Sequence, residues 1–282
     1  MPFRFPHATC AGLFALAALV FGVPPAAYAA PPLRIVSLMP SLTEDLFAIG
    51  AGPDVVGVSA YTDYPAAAAK LPVVASFTSL DAERVVKMHP DIVLGIPGQS
   101  HLVADLVRAG VRVELIDDES YDQIFTSLAR VGTLTGHERE ASALAARLRA
   151  RTAALTRRLP ADRPRTFVVL ETNPIVTTGD GSYIARLISL AGGVNAAGNL
   201  SEAYPRYSAE ALLARAPDAI VADRLCGLQN VLGTPPWNAL GAVRDGHVYI
   251  LGDADILERP GPRYNEGLAW LIARLHGHAQ GR

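Results

Sequence analysis

The chain has 282 residues, half of which are hydrophobic, and its formal net charge is −2. This length fits about two domains, and the apolar content is enough for a core in each. The near-balanced charge does not favour the basic patch that nucleic-acid binding needs, so no nucleic-acid partner is expected.

Residues 1–29 have the pattern of a secretory signal that is cleaved after Ala29. Arg4 gives a weakly positive start, an apolar run follows at residues 11–23, and Ala27-Tyr28-Ala29 has small residues at the two cleavage-site positions. The run is about 13 residues long, whereas a membrane span needs about 20, so an uncleaved anchor is the weaker alternative. We therefore expect export to the periplasm.

After the signal, short apolar strands alternate with helical segments. We expect strands at residues 34–38, 55–59, 91–96, 111–116, 165–170, 218–222 and 247–251. Helix-like stretches lie between them at residues 41–49, 101–109, 121–134, 182–191 and 262–275. This alternation is typical of α/β lobes with mainly parallel sheets, in which ligands bind outside the carboxyl ends of the strands.

One helix–turn–strand pattern occurs twice, once in each half of the chain. Asp81-Ala-Glu-Arg-Val-Val-Lys-Met-His-Pro-Asp-Ile-Val-Leu matches Ser208-Ala-Glu-Ala-Leu-Leu-Ala-Arg-Ala-Pro-Asp-Ala-Ile-Val. Each copy predicts an N-cap residue, Asp81 or Ser208, then a short helix, a Pro-Asp turn and a buried strand. Copies so far apart indicate two similar lobes rather than a stacked array, and the cleft between the lobes is the expected ligand site.

Between the two copies, residues 138–159 form an Ala-, Leu- and Arg-rich segment without a strand. At 1.5 Å per residue, about 22 residues make a helix about 33 Å long. We predict a first lobe at residues 32–136, a linking helix at residues 137–159 and a second lobe at residues 160–282. The alternative interpretation is a surface helix of one larger domain.

Motifs along the chain carry a resemblance to a known family. Arg34-Ile-Val-Ser-Leu-Met-Pro-Ser-Leu-Thr-Glu44, followed by Val55-Val-Gly-Val-Ser-Ala-Tyr-Thr-Asp-Tyr-Pro65, resembles the periplasmic cobalamin-binding component of ABC importers. The resemblance continues to Glu258-Arg-Pro-Gly-Pro-Arg263 and covers essentially the whole mature chain. The broader group comprises helix-linked, bilobed binding proteins for corrinoids, siderophores and haem. It implies a monomer that binds a corrinoid, with cobalamin as the first candidate, and delivers it to a dimeric ABC permease in the inner membrane.

The resemblance also implies that the glutamate of each repeat copy, Glu83 and Glu210, docks onto one of the two permease subunits. Each lies in the first turn of its predicted helix, where it would project into solvent. A carboxylate there gains about 0.3–1 kcal/mol from the helix dipole, which is the purely structural alternative. Their occurrence at matching positions with different neighbours favours docking.

Six ligand-contacting positions in the cleft follow from the same resemblance: Tyr61, Phe77, Ile96, Tyr204, Asp255 and Arg259. Aromatic faces bury a flat macrocycle, and the acidic and basic pair contacts its amide-bearing rim. Phe77 and Ile96 stand where the best-known cobalamin binder has Trp, which keeps other corrinoids and tetrapyrroles open as ligands. The alternative for Tyr61 and Phe77 is core packing. For Asp255 and Arg259 it is an ordinary i,i+4 surface pair.

Other functional classes lack their motifs in this sequence. The histidines have no His-x-x-x-His spacing and there is no Cys-x-x-Cys, so no metal site and no cofactor are expected. Thr178-Gly-Asp-Gly-Ser182 lacks the order of a nucleophile elbow, so catalysis is not expected, and a secreted α/β enzyme is the remote alternative. The nearer alternative is a haem or iron–siderophore carrier of the same family, with Tyr61 or Tyr204 as an axial haem ligand. The acidic run Asp117-Asp118-Glu119 is expected in a solvated loop, and cation binding is the weaker alternative.

Overall fold

The computed structural model describes Met1 and residues 32–277. The predicted secretory signal lies outside the described residues apart from Met1, as do residues 278–282 of the predicted second lobe. The strands and helices of the described residues lie in the unit Leu33–Arg282. In the described part of the chain, no helix combines the length and the apolar character needed to cross a bilayer.

The first half of the chain forms a five-stranded parallel sheet. Its strands are β1 (Ile35–Ser37), β2 (Val55–Ser59), β3 (Val73–Ala75), β4 (Ile92–Gly95) and β5 (Val113–Leu115). The helices of this half are α1 (Pro40–Ala48), α2 (Ala82–Lys87), α3 (Ala104–Arg108) and α4 (Gln123–Thr135). Every residue of β4 is buried, as expected of a parallel strand that is covered on both faces.

A linking helix, α5 (Glu138–Thr156), leads to a four-stranded parallel sheet and a short antiparallel hairpin. The sheet contains β6 (Arg165–Val169), β9 (Val194–Asn195), β10 (Ala219–Asp223) and β11 (Val248–Leu251), and the hairpin pairs β7 (Glu171–Thr172) with β8 (Ile175–Val176). The helices here are α6 (Tyr183–Leu190), α7 (Ala209–Arg215), α8 (Gly241–Arg244), α9 (Asp255–Glu258) and α10 (Tyr264–His276).

Both sheets have their first strand in an interior position. The strand order is β3-β2-β1-β4-β5 in the first sheet and β11-β10-β6-β9 in the second. The order therefore reverses beside β1 and beside β6. Such a switch point opens a crevice outside the carboxyl ends of the strands, where ligands of α/β proteins bind.

The predicted helix caps of the two repeat copies are confirmed. The side chains of Asp81 and Ser208 each accept a hydrogen bond from the backbone N–H three residues further on, at 3.0 and 3.1 Å. Each cap satisfies one of the backbone donors that the first turn of a helix leaves free. The two short helices α2 and α7 therefore begin in the same way.

The turns that follow these helices also have one geometry. Asp91 accepts a hydrogen bond from the backbone N–H of Arg34, and Asp218 accepts one from the backbone N–H of Arg165, both at 2.8 Å. Each arginine side chain also donates to a carbonyl at the carboxyl end of α2 or α7. The same brace thus ties the repeat to the start of the sheet in each half, which supports an internal duplication.

The helix α5 begins two residues after Gly136, whose φ of 72° ends α4 in a left-handed conformation that glycine adopts without strain. Its 19 residues give a length of about 29 Å. It packs against α4 on one side and α10 on the other. Leu148 is buried there, and the hydroxyl oxygens of Thr152 and Tyr264 lie 2.7 Å apart.

The apolar core is continuous across α5. Buried side chains from both sheets, from α1 and α4, and from α5, α6 and α10 belong to one cluster, and the other face of each sheet carries a smaller core of its own. The linking helix therefore contributes a buried face to this core. The predicted fold class, two similar α/β lobes joined by one long helix, is confirmed. The lobe boundaries at residues 136 and 159 stay a prediction, because packing runs across them.

Candidate functional site

A cavity of about 590 Å³ is lined by loops from both lobes. This volume lies within the roughly 300–1,000 Å³ of small-molecule sites. On the first lobe, every strand of the sheet contributes residues at its carboxyl end. They are Leu38, Met39, Pro40 and Ser41 after β1, Ser59, Ala60 and Tyr61 at the end of β2, Phe77 after β3, Ile96 after β4, and Asp118 and Glu119 after β5. This is the position that the strand order predicts for a ligand.

The second lobe supplies the opposite wall of the cavity. Its lining residues are Gly181, Ala203, Tyr204, Glu258, Arg259 and Pro260. Glu258 is the last residue of α9 and Arg259 is its C-cap. Of the six predicted ligand positions, all but Asp255 line this cavity. Their roles as ligand contacts stay predictions.

Three of the lining residues are exposed aromatics. Tyr61 is 83% exposed, Phe77 is 61% exposed and Tyr204 is 47% exposed. Tyr61 and Phe77 are therefore not core aromatics, which removes the structural alternative for both. Ile96 is buried and contributes only a small apolar surface to the cavity. Aromatic faces on two opposite walls are suited to covering a large flat molecule.

The guanidinium of Arg259 joins the second lobe to the first. Its Nη1 lies 3.0 Å from Glu44 Oε1 and 3.1 Å from Asp63 Oδ1. Its Nη2 lies 2.8 Å from Asp255 Oδ2 and donates to the carbonyl oxygen of Tyr61, also at 2.8 Å. The side chain is only 13% exposed. The pair Asp255–Arg259 exists, but it is part of a half-buried network rather than an ordinary surface pair.

This network also includes a hydrogen bond to the backbone of Tyr61. Its φ is 64°, a left-handed conformation that bulky residues rarely adopt. The hydrogen bond from Arg259 to its carbonyl oxygen fixes the peptide group that follows. Arg259 therefore positions Tyr61 at the mouth of the cavity, a role that sequence reasoning did not assign to it.

The acidic run at the end of β5 differs from the sequence expectation of a solvated loop. Asp117 and Glu119 are exposed, but Asp118 is only 4% exposed and lines the cavity. The hydroxyl of Ser41 donates a hydrogen bond to its carboxylate. Burial raises the pKa of Asp118 to about 6, and the hydrogen bond from Ser41 opposes that rise. Asp118 differs from its two neighbours in accepting a hydrogen bond from the first turn of α1.

Two further carboxyl groups are buried in α1, the helix whose first turn lines the cavity. Burial raises the pKa of Glu44 to about 7, although the hydrogen bond from Arg259 lowers it. Burial raises the pKa of Asp45 well above its usual range; Ser127 donates to one of its oxygens at 2.9 Å, and the other oxygen has no partner. Despite these acids, no group of three or more His, Cys, Asp or Glu side chains within the described residues is arranged to hold a metal ion.

The two predicted docking residues occupy equivalent places. Glu83 is the second residue of α2 and Glu210 is the second residue of α7, and both are exposed. Glu83 Oε1 lies 2.6 Å from the Nζ of Lys87, one helical turn further on. An exposed pair of this kind is worth about 0–1 kcal/mol, so it leaves the carboxylate available to another cation.

The chain matches the periplasmic binding protein family over residues 35–254. It is 34% identical over 210 residues to the vitamin B12-binding protein of Salmonella choleraesuis, covering 73% of this chain and 77% of that protein. The periplasmic vitamin B12 binding protein BtuF of Vibrio cholerae superposes with a TM-score of 0.76 at 28% identity, covering 88% and 98% of the two chains. The periplasmic heme-binding protein RhuT of Roseiflexus sp. RS-1 does so with a TM-score of 0.79 at 28% identity, covering 88% and 99%.

The substitution Asp45→Asn tests the raised pKa of this buried acid. Because the pKa of Asp45 is raised in the folded state, that state keeps the proton longer than the unfolded chain. The contribution of Asp45 to wild-type stability should therefore fall as the pH rises from about 4 through the folded-state pKa. An amide resembles the protonated acid, so Asp45→Asn should gain stability relative to the wild type as the pH rises towards that pKa.

Urea unfolding at pH 5 and pH 8 measures this difference. Asp122→Asn, which changes an exposed carboxylate before α4, is the control and should track the wild type at both values. An Asp45→Asn curve parallel to the wild type across this range would contradict the assignment of a raised pKa.

Proposed function

The chain belongs to the periplasmic binding protein family, and we propose that it binds a corrinoid, with cobalamin as the first candidate, and delivers it to a dimeric ABC permease in the inner membrane. The observation that carries the proposal is the cavity between the lobes with exposed aromatic side chains on both walls. The family is one of substrate-binding proteins, and the proposed function needs neither catalysis nor a resident cofactor.

The aromatic residues supply most of the proposed binding surface. Tyr61 and Phe77 on one wall and Tyr204 on the other would cover the faces and edge of the macrocycle, with Ile96 beneath it. Fully burying one large apolar side chain contributes about 1.5–3 kcal/mol, so three partly exposed aromatics give a substantial share of a micromolar affinity, which is about 8 kcal/mol. The vitamin B12-binding proteins among the similar proteins support a corrinoid as the occupant.

The polar contacts are proposed to orient the ligand. Arg259 lies at the cavity, and Asp255 lies behind it, bonded to the same guanidinium. In the structure Arg259 is already bonded to three carboxylates, so any contact with the ligand rim would use the remaining donor capacity of its guanidinium. Asp255 would then act through Arg259 rather than by touching the ligand.

A haem carrier is the second candidate. The specific observation in its favour is the likeness to the haem-binding protein RhuT, whose TM-score equals 0.79. Tyr61 and Tyr204 both line the cavity and carry the phenol oxygen that an axial haem ligand needs. An iron–siderophore carrier remains the third member of the same class.

Family membership fits a periplasmic location for the protein. We propose that residues 1–29 are the cleaved signal that directs it there, and that it acts as a monomer. Glu83 and Glu210, which are exposed at equivalent positions in the two lobes, would each meet basic residues on one permease subunit. Exposed charges of this kind mainly set orientation and encounter rate.

Calorimetric and absorbance titration with cobalamin, cobinamide, haem and a ferric siderophore tests the ligand. We expect saturable cobalamin binding at micromolar concentration or below, without turnover. Tyr61→Ala should weaken it about tenfold to hundredfold, because the aromatic face is lost. Leu213→Ala, which shortens an exposed apolar side chain on α7 away from the cavity, is the control. If neither cobalamin nor cobinamide binds, the corrinoid assignment is wrong.

The double substitution Glu83→Lys with Glu210→Lys tests docking. Reversing both charges should abolish uptake in cells and leave ligand affinity in the purified protein unchanged, because neither residue lines the cavity. Glu138→Lys with Glu140→Lys on α5 changes the net charge equally and should support normal uptake. Normal transport by the Glu83/Glu210 variant would remove the docking role.

A further inference from the structure

The charges that line the cavity are unbalanced. Three carboxyl groups line it, those of Asp118, Glu119 and Glu258, and Arg259 is the one cation among the described lining residues. Glu119 lies on the wall of the first lobe and Glu258 on the wall of the second. A ligand therefore meets acidic groups on both sides.

The single cation is not free to neutralise an anionic ligand. Arg259 lies within 3.1 Å of Glu44, Asp63 and Asp255, so three carboxyl groups surround one guanidinium. The next arginine, Arg263, does not line the cavity and is 12% exposed. Its partners are Asp253 and Glu266, with Glu44 at 4.0 Å. Neither arginine offers an unpaired positive charge to the cavity.

The start of α1 is the other feature that would attract an anion. Pro40 and Ser41, in its first turn, line the cavity, and helix N-termini carry a partial positive charge. Here the carboxylate of Asp118 lies beside that turn and accepts the hydrogen bond from the Ser41 hydroxyl. The chain's own carboxyl group thus occupies the place where a ligand carboxylate would otherwise find a donor.

Glu258 is the acidic residue on the wall of the second lobe. Glu258 is partly buried, beside Asp223 at the end of β10 and Asp255 at the start of α9, with Arg259 next to it. Burial, followed by the hydrogen bond with Asp223, raises the pKa of Glu258 to about 8. The phenol of Tyr204 is within electrostatic reach of Glu258, Glu119 and Asp118 together. Tyr204 therefore has three acidic groups near it on the side of the cavity, whereas Arg206 lies with it in a neighbouring pocket.

Building on the proposed function, we propose that this cavity selects macrocycles by the charge of their rim, accepting neutral amide groups and rejecting carboxylates, with Glu119 and Glu258 as the specificity-determining residues. An amide NH₂ of the rim donates to a carboxylate, and a charge-assisted hydrogen bond of this kind is short and strong. A carboxylate at the same position meets Glu119 on one wall, Glu258 on the other, which is ionised above its pKa of about 8, and no unpaired cation. The site therefore favours amide-rimmed corrinoids over haem, whose two propionates are ionised.

A pair of ligands that differ in one charge tests the proposal. The probes are cyanocobalamin and its three derivatives in which one peripheral propionamide is hydrolysed to a carboxylate. Calorimetry at pH 9, where Glu258 is mostly ionised, should find at least one derivative bound about tenfold or more weakly than cyanocobalamin, and none bound more tightly. All three derivatives binding within twofold of cyanocobalamin, or any binding more tightly, would overturn the charge selection.

The pH dependence has a definite direction. Between pH 6 and pH 9 Glu258 passes from neutral to negative, while the ligand carboxylate is ionised throughout. The discrimination against the weakest derivative should therefore grow over this range. A discrimination that shrinks as the pH rises contradicts the role of Glu258.

Substitution of the two glutamates by glutamine should reduce the selectivity. In Glu119→Gln with Glu258→Gln, the like charges are gone. The dissociation constant of the weakest derivative should therefore exceed that of cyanocobalamin by less than about threefold. Glu138→Gln on α5 is the matched control and should retain the wild-type ratio. If the ratio is unchanged in the double variant, the selectivity does not depend on Glu119 and Glu258, and their proposed role is wrong.

A second ligand pair separates this inference from the corrinoid assignment. Haem and its bis-amide, in which both propionates are amidated, differ only in rim charge, and the bis-amide should bind more tightly. If cobalamin fails to bind and the bis-amide is preferred, only the corrinoid assignment is lost. If cobalamin binds and haem is preferred over its bis-amide, the charge selection is wrong and the proposed function stands.

Discussion

The guanidinium of Arg259 is the contact on which the cavity depends. It comes from the end of α9 in the second lobe and reaches Glu44 and Asp63 in the first. It also holds the carbonyl oxygen of Tyr61. A buried ion pair contributes little net stability, but loss of Arg259 would leave the carboxyl groups of Glu44, Asp63 and Asp255 without their shared cation. The two walls of the cavity are therefore held together by a contact whose loss is destabilising.

The scaffold around this contact is stiff for identifiable reasons. In each half, an aspartate after the repeat helix accepts the backbone N–H of Arg34 or Arg165 at the start of β1 or β6, so the first strand of each sheet has the same brace. The helix α5 is packed on both sides, and one apolar core runs from the first sheet to α10. A packed linking helix favours small adjustments of the lobes over wide hinge motion. A cavity formed before the ligand arrives reduces the ordering cost of binding.

Local chemistry explains which parts of the fold could be predicted from the sequence. The caps at Asp81 and Ser208 and the Pro-Asp turns depend on residues that are neighbours in the sequence. They can therefore be predicted without the structure. The strand β3 has three residues, and β7 and β8 have two each, which is too short for a periodic pattern. The linking helix was predicted to end at residue 159, but it ends at Thr156, before the arginine pair and the first proline.

Part of the candidate site could be predicted from the sequence and part could not. The resemblance placed Tyr61, Phe77 and Tyr204 at the ligand, and all three line one cavity. The buried acids could not be predicted, because the arginine that pairs with Glu44 is 215 residues away. A carboxylate in a short helix is ordinarily exposed, so burial of Glu44 depends on tertiary contacts that the local pattern does not contain.

A double-mutant cycle across the two lobes measures the central contact most directly. Glu44→Gln, Arg259→Gln and the combined variant are compared with the wild type by urea unfolding at pH 7.5. If the pair joins the lobes, each single variant is destabilised and the coupling free energy is at least about 1 kcal/mol. Additive effects, with a coupling below about 0.3 kcal/mol, would contradict the account.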